Sequence, residues 1–213
     1  MEETGPKLVF LCNPNNPTGE YLGKKRVVEI LDICNKLDAL LVIDEAYVDL
    51  SRKKWYSDDL IRDGNLIIVR SLTKSFSCAG IRIGYLIAAR GIIKALEAVK
   101  IPWNVNVLAQ KVAITLLGEI AYLKQGVELV EAEKAYLSGE FKRLSLKPIR
   151  SDANYILLDL NGRNASALNE KLLERGIYLR DCTSFGLPEF VRIGVRRHDD
   201  NVELVEALRD VLK

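Results

Sequence analysis

Residues 71–82 read SLTKSFSCAGIR, which places Lys74 among hydroxyl-bearing and small residues. Two apolar runs, Asn65–Arg70 and Ile83–Ala88, flank this segment and predict a strand on either side of it. Catalytic groups are often mounted on such connectors between regular elements. Taken alone, Lys74 is better explained as a solvated loop lysine, and only the rest of the chain reverses that interpretation.

The composition is ordinary for a globular protein and argues against several classes of function. The 213 residues are 48% hydrophobic and 28% charged, with a formal net charge of +2. The sequence contains no basic block of the kind that indicates a nucleic-acid partner. Its apolar runs are too short to span a bilayer. Residues 1–6 read MEETGP, which lacks the pattern of a signal peptide, so we expect a cytoplasmic protein. Four scattered cysteines and the single His198 predict free thiols and no metal site.

The first half of the chain alternates strand and helix patterns. Lys7–Cys12 and Ala39–Ile43 are apolar almost throughout, which predicts two buried strands. Between them, residues 22–37 carry apolar side chains at helical spacing. This alternation predicts an α/β fold with a parallel sheet that helices cover on both faces.

The second half has a different pattern, typical of a small α+β domain. A long charged helix is expected over residues 119–144, with Gly126 and Gly139 as candidate interruption points. It is followed by the predicted strands 155–160, 177–180 and 190–195 and by the predicted helices 165–175 and 199–212. We therefore expect two domains, residues 1–120 and 121–213.

Polar side chains follow the predicted strands of the first half. Asn13–Gly19 reads NPNNPTG, which forces a turn, and Asn16 is restricted to extended geometry by the proline after it. Asp44 and Tyr47 follow the second strand. Ligands bind at the carboxyl ends of parallel strands, and a buried carboxylate needs a partner, so we expect Asp44 to face a cationic ligand. The alternatives are an ordinary turn for Asn16 and a helix cap or surface turn for Asp44.

The candidate groups together suit one ligand, pyridoxal 5'-phosphate (PLP). This cofactor needs a lysine for its aldehyde, a carboxylate for its ring nitrogen and donors for its phenolate oxygen. Its phosphate needs hydroxyl groups and a cation. The chain offers the corresponding groups at Asn16, Asp44, Tyr47, Ser71, Thr73, Lys74 and Arg82.

These motifs resemble the fold-type-I aminotransferases of class I and II, which use this cofactor. The matching segments are Asn13–Gly19, Asp44–Tyr47, Ser71–Lys74, Arg82 and Arg192. Short motifs occur by chance, but this set in this order is specific. The resemblance implies a three-layer α/β/α large domain with a mostly parallel sheet, here incomplete, and a small C-terminal α+β domain. It also implies a homodimer in the full-length protein.

The resemblance assigns a role to each matching residue. Lys74 corresponds to the Schiff-base lysine, whose amine also moves a proton between substrate and cofactor. Asp44 corresponds to the partner of the ring nitrogen, and Arg192 to the arginine that binds the substrate's α-carboxylate with its planar fork. The donors to the ring's O3′ oxygen are implied to be Tyr47 and Asn16, and the phosphate ligands Ser71, Thr73 and Arg82.

Within this family, the chain is similar to the histidinol-phosphate aminotransferases and to the threonine-phosphate decarboxylases of cobalamin synthesis. In both groups an arginine corresponding to Arg180 helps to bind the substrate's phosphate; the alternative is a surface charge at a strand end. Arg70–Lys74 and Pro102–Asn106 are more similar to the decarboxylases. The resemblance implies transamination of a small amino compound in amino-acid biosynthesis, with decarboxylation as the alternative.

Family members carry a further segment before the NPTG motif. That segment supplies a glycine turn that cups the cofactor phosphate at a helix N-terminus and an aromatic side chain that stacks on the ring. No glycine-rich turn precedes Lys7, so we expect this chain to lack that part and to expose an unpaired sheet edge. A non-catalytic module is therefore a third alternative.

Overall fold

The computed structural model describes residues 5–213, except for the side chain of Asp63. Residues 1–4, which belong to the stretch that argues against a signal peptide, lie outside this range. The chain divides into two compact units. The first contains the residues up to Pro14 and Tyr21–Lys124, and the second contains Asn15–Glu20 and Gln125–Lys213.

The first unit is built on a four-stranded sheet in the order β1-β2-β3-β4. β1 (Leu8–Cys12), β2 (Leu40–Asp44) and β3 (Leu66–Ser71) are parallel to one another. β4 (Gly84–Ala88) pairs with β3 in the antiparallel direction. The sheet is thus mostly parallel, as predicted, and its one antiparallel strand is β4, whose direction an apolar run alone does not predict.

Helix α1 (Lys24–Lys36) covers one face of this sheet. Its residues Val27, Leu31 and Cys34 recur at helical spacing and are fully buried. They form one hydrophobic cluster with the inward-facing residues of β2 and β3, namely Leu41, Ile43, Leu66 and Ile68. This cluster fixes the register of the two strands that carry the candidate site, since a shift by one residue would expose it.

Strand β1 lies at the edge of the sheet, which corrects the prediction that Lys7–Cys12 is buried. Leu8 is 52% exposed and Phe10 is 75% exposed, whereas Val9 and Leu11 pack against the core cluster. The apolar run predicted the strand correctly. It did not show which of the two faces a neighbouring element covers.

Short helical elements connect the strands, and longer helices follow β4. In the first unit, three 3₁₀ helices cover Val48–Leu50, Ser57–Asp63 and Ala79–Ile81, and a fourth, Thr183–Phe185, lies in the second unit. The one-turn helix α2 (Leu72–Ser75) follows β3 directly. Helices α3 (Arg90–Val99) and α4 (Val107–Leu116) come next, and the Asn106 side chain caps α4 by accepting a hydrogen bond from the Ala109 N–H at 2.8 Å.

The second unit contains an antiparallel sheet in the order β5-β6-β8-β7. Its strands are β5 (Lys147–Pro148), β6 (Tyr155–Asp159), β7 (Arg180–Asp181) and β8 (Phe190–Gly194). The two-residue strand β5 is not predicted by any sequence pattern, because it is too short to show an alternation.

Three helices complete the second unit: α5 (Ile120–Arg143, from Gln125 onward), α6 (Ala165–Leu173) and α7 (His198–Val211). α5 continues through Gly126 and Gly139, because one glycine weakens a helix by only about 1 kcal/mol. The helices and strands enclose a core whose fully buried members include Leu137, Phe141, Ile156, Leu158, Leu172, Val191, Ile193 and Leu208.

The segment Asn15–Glu20 belongs to the second unit, although its neighbours along the chain belong to the first. The Tyr155 hydroxyl donates a hydrogen bond to the carbonyl oxygen of Asn15 at 2.7 Å. Gly19 adopts a φ of +75°, and a Cβ at this position would lie 2.0 Å from Oγ of Ser151. The glycine of the NPTG motif is therefore required both by its backbone conformation and by the close approach of Ser151.

Within residues 5–213, no helix is long and apolar enough to cross a membrane. The same part of the chain holds no group of His, Cys, Asp or Glu side chains suited to a metal ion.

Candidate active site

The structure brings Lys74 and Tyr47 together. Lys74 is exposed on the one-turn helix α2, directly after β3, and Tyr47 follows the end of the neighbouring strand β2. The Lys74 Nζ lies 5.7 Å from the centre of the Tyr47 ring. Because β2 and β3 are parallel neighbours, their carboxyl ends place these two side chains at the same edge of the sheet.

Two hydroxyl groups, those of Ser71 and Thr73, precede Lys74 on the same segment. The Oγ atoms of Ser71 and Thr73 lie 2.7 Å apart, and Thr73 is only 5% exposed. Arg82, the predicted cation of this group, is exposed and donates a hydrogen bond to the carbonyl oxygen of Ala79 at 3.0 Å. Its φ of +57° lies in the left-handed region, which is uncommon for a residue with a side chain and is found at functional sites.

The two carboxylates at the end of β2, Asp44 and Glu45, differ in their exposure. Asp44 is exposed, and its Oδ1 accepts a hydrogen bond from the Ala46 N–H at 2.9 Å. The buried carboxylate is Glu45, which is 1% exposed. Successive strand residues point to opposite faces of a sheet, so Glu45 follows Ile43 toward the core while Asp44 faces away from it. The alternation of strand residues over Ile43–Glu45 could therefore have predicted that Glu45, and not Asp44, is buried.

Glu45 belongs to a buried ionic cluster that the sequence analysis did not predict. The Arg70 Nε and Nη2 lie 2.9 and 2.8 Å from Oε2 of Glu45. The Arg70 Nη2 also lies 2.6 Å from Oδ1 of Asp58, and the Ser57 hydroxyl donates to the other oxygen of Glu45. Burial opposes the charge on Arg70, but the hydrogen bonds to Asp58 and Glu45 outweigh it, so the pKa of the guanidinium lies above its usual value.

This cluster ties the ends of the two central strands together. Glu45 follows Asp44 at the end of β2, and Arg70 precedes Ser71 at the end of β3. The Glu45 N–H also donates to the carbonyl oxygen of Val69 at 2.8 Å. The cluster lies on one face of the sheet. It therefore supports Asp44 and Ser71, the candidate residues beside it in sequence, which point to the opposite face.

In the second unit, the structure brings Arg192 and Asn16 together. The Arg192 Nη1 donates a hydrogen bond to Oδ1 of Asn16. The guanidinium carbon of Arg192 lies 5.1 Å from the centre of the Tyr155 ring. The Tyr155 hydroxyl also holds the carbonyl oxygen of Asn15, the residue before Asn16. Asn16, the predicted cofactor donor, and Arg192, the predicted carboxylate-binding residue, therefore belong to one hydrogen-bonded group.

Arg180 lies directly opposite Arg192 on the neighbouring strand. The Arg180 Nη2 donates to the Ser184 hydroxyl at 2.9 Å, and its guanidinium lies 5.6 Å from the centre of the Phe185 ring. Like charges directly opposite one another across two strands are destabilising. The pairing thus places two positive charges side by side on the sheet.

The chain belongs to the aminotransferase class I and II family, which it matches over residues 1–208. The resemblance deduced from the motifs is therefore confirmed.

Its sequence is similar to histidinol-phosphate aminotransferases in particular. It is 37% identical over 216 residues to that of Caldanaerobacter subterraneus subsp. tengcongensis, covering 100% of this chain and 59% of the relative. It is also 37% identical over 218 residues to histidinol-phosphate aminotransferase 2 of Archaeoglobus fulgidus, covering 99% of this chain and 60% of the relative. The chain thus spans about three-fifths of the length of these curated relatives.

Solved structures show the same similarity. Histidinol-phosphate aminotransferase from Sinorhizobium meliloti, in complex with pyridoxal-5'-phosphate, aligns with a TM-score of 0.91 at 27% identity, covering 99% of this chain and 59% of that chain. L-threonine-O-3-phosphate decarboxylase from Porphyromonas gingivalis aligns with a TM-score of 0.87 at 28% identity, covering 97% and 64%. The predicted fold, a partial α/β domain with a mostly parallel sheet and a smaller α+β part, is confirmed.

Proposed function

We propose that the protein is a PLP-dependent aminotransferase that acts on a phosphorylated amino compound of the histidinol-phosphate type. The observation that carries the proposal is the position of Lys74 against Tyr47 at the ends of two neighbouring parallel strands. The similarity of the whole chain to histidinol-phosphate aminotransferases supports the choice of substrate class.

The donor groups of the first unit fit the cofactor chemically. Lys74 and Asp44 are both exposed, so their amine and carboxylate are open to a ligand. The hydroxyls of Ser71 and Thr73 are hydrogen-bonded to each other, which leaves one O–H of the pair to donate to an anion. A free amine, a carboxylate, a phenol and two hydroxyls on adjacent strand ends are the groups that an aldehyde, a pyridine nitrogen, a phenolate and a phosphate require.

In this proposal each candidate residue holds one part of the cofactor. Lys74 binds the aldehyde carbon, and Asp44 keeps the ring nitrogen protonated by its negative charge. Tyr47 and Asn16 donate to the ring oxygen O3′. The phosphate ligands are Ser71, Thr73 and Arg82.

When bound, the cofactor supplies a cationic ring that accepts electrons from a breaking bond at the substrate's Cα. The Lys74 Nζ, when not bonded to the cofactor, would act as the general base that takes the proton from the substrate's Cα. Arg192 binds the α-carboxylate of the keto-acid partner, 2-oxoglutarate, through two parallel hydrogen bonds, which a lysine could not reproduce. Arg180, opposite it on β7, binds the phosphate.

The remaining assignments concern the whole protein. We propose residues 1–120 as part of the cofactor-binding domain and residues 121–213 as the small domain. We also propose a small-molecule substrate, in keeping with the family, and a cytoplasmic homodimer, as expected from the motifs and the sequence.

Reductive labelling tests the cofactor assignment. The chain is incubated with PLP, reduced with borohydride, digested and mapped by mass spectrometry. We expect the label on Lys74 and its loss in Lys74→Ala, whereas the control Lys94→Ala, at an exposed lysine of α3, should keep it. A label spread evenly over the exposed lysines would overturn the proposal and favour a non-catalytic module.

A second candidate is the decarboxylation of a phosphorylated amino acid. The observation that favours it is the alignment with the Porphyromonas gingivalis threonine-phosphate decarboxylase, at an identity similar to that of the aminotransferase structures. The protein is assayed with two substrate sets. Amino transfer from histidinol phosphate to 2-oxoglutarate supports the first candidate, and release of carbon dioxide from threonine phosphate without a keto acid supports the second.

A further inference from the structure

The carboxylate of Asp49 joins the segment that carries Tyr47 to the segment that carries Lys74. Asp49 lies in the 3₁₀ helix Val48–Leu50, which begins directly after Tyr47. Its Oδ2 accepts a hydrogen bond from the Ser75 hydroxyl at 2.7 Å, and Ser75 is the residue next to Lys74 in α2. One carboxylate therefore bridges the two backbone segments whose side chains meet.

The other oxygen of Asp49 is held by a tyrosine that rests on the buried ionic cluster. The Tyr56 hydroxyl donates to Oδ1 of Asp49 at 3.0 Å. Burial, together with the charge of Asp49, raises the pKa of Tyr56, so the phenol remains a donor at neutral pH. The Arg70 guanidinium lies 4.6 Å from the centre of the Tyr56 ring, and Glu45 and Asp58 fix Arg70 in turn. Both oxygens of Asp49 are thus held.

Helix α2 needs such an anchor because it is only four residues long. A single helical turn is not stable by itself, since nucleation fixes several dihedral angles for one hydrogen bond. Ser75 is 3% exposed, and its hydroxyl contacts the carbonyl oxygen of Ser71 at 3.3 Å in addition to Asp49. The bond to Asp49 is the shorter of the two and the one that reaches outside the Ser71–Ser75 segment.

We propose that Asp49 is a positioning residue that holds Lys74 against Tyr47. The inference deepens the proposed function, because Lys74 is the lysine that binds the cofactor there. Asp49 acts through Ser75 and has no direct part in the chemistry. Its effect is therefore present in the chain before any cofactor is added.

The test measures how reactive the Lys74 amine is in the cofactor-free chain. The chain receives a limiting amount of sulfo-N-hydroxysuccinimide acetate well below its melting temperature. Mass spectrometry then gives the acetylation of Lys74 relative to Lys94, an exposed lysine on α3. We expect Asp49→Ala to raise this ratio about two- to five-fold, the effect of losing one cation–π contact at an exposed amine.

Two further variants separate positioning from general loosening. Asp49→Asn keeps an oxygen for Ser75 and should retain the wild-type ratio. Asp59→Ala removes a carboxylate that lies 3.5 Å from Lys24, and it should leave the ratio unchanged. An unchanged ratio in Asp49→Ala, or an equal rise in Asp59→Ala, would overturn the proposal.

If Asp49→Ala does not fold, single hydroxyl deletions replace it. Ser75→Ala and Tyr56→Phe each remove one hydrogen bond to Asp49 and should each raise the Lys74 ratio, with Ser75→Ala giving the larger rise. Two unchanged ratios would overturn the positioning role.

Borohydride labelling with PLP is run on the same samples. A failure of wild-type Lys74 to take the label overturns the proposed function, whereas the acetylation ratio still decides the role of Asp49.

Discussion

Gly84 gives the sharpest test of how the lysine segment is held in place. It pairs with Ser71 across β3 and β4. A Cβ on Gly84 would lie 2.5 Å from the carbonyl oxygen of Arg70 and 3.6 Å from the Cα of Ser71. Because the contacting oxygen is backbone, the clash is relieved only if the two strands separate. Overpacking of this kind costs about 1–3 kcal/mol, and the rigid partner argues for about 2–3 kcal/mol in Gly84→Ala.

Gly80 provides the matched control, since a Cβ there would meet nothing within 4 Å. Both tryptophans, Trp55 and Trp103, belong to the first unit, so tryptophan fluorescence follows the unfolding of that unit alone. We expect Gly84→Ala to lower the melting temperature by about 5–10 °C, and Gly80→Ala to change it by about 2 °C or less. A Gly84→Ala melting temperature within that smaller range would refute the reasoning from the close approach to Arg70.

Three further predictions follow from burial and charge. Arg70→Met should lower the free energy of unfolding by about 3–5 kcal/mol in urea, because it leaves the fully buried Glu45 carboxylate without its cation; a loss below about 1 kcal/mol would contradict this. Hydrogen bonds lower the pKa of Asp181, so its contribution to stability is present above the usual carboxyl value and is lost as pH falls through the lowered one. Asp181→Asn should therefore flatten the acid side of a stability–pH curve, and an unchanged slope would argue against it. Burial raises the pKa of the Cys182 thiol, so iodoacetamide at pH 8 should alkylate Cys182 more slowly than the half-buried Cys78, as peptide mapping would show.

The sequence predicted the elements around Lys74 well because each carries a strong local signal. The apolar runs became β3 and β4, and the lysine lies between them as expected. The direction of β4 had no such signal, because strand composition is the same in both directions. The exposure of Phe10 depends on which face of β1 another element covers, and no local pattern encodes that.

The candidate site was predicted by residue type but not in its supporting contacts. Lys74 lies against Tyr47 in the first unit, and Asn16 is hydrogen-bonded to Arg192 in the second unit. That these four residues bind one ligand stays a prediction. Asp44 was expected to face a cationic ligand and is exposed, whereas the alternation of the strand buries the next residue, Glu45. The partners of Glu45 lie 12 or more residues away in sequence, and only the fold brings them together.

The assignment of Asn15–Glu20 to the second unit has a consequence for biosynthesis. The hydrogen bond between Tyr155 and Asn15 spans 140 residues, so the loop emerges from the ribosome long before its partner strand exists. At roughly 5–20 residues per second, translation leaves the segment without Tyr155 for about 7–28 seconds. During that interval the carbonyl oxygen of Asn15 lacks the Tyr155 hydroxyl as its donor. Expression of residues 125–213 alone would leave the Tyr155 hydroxyl without this acceptor and the surface beside Ser151 uncovered.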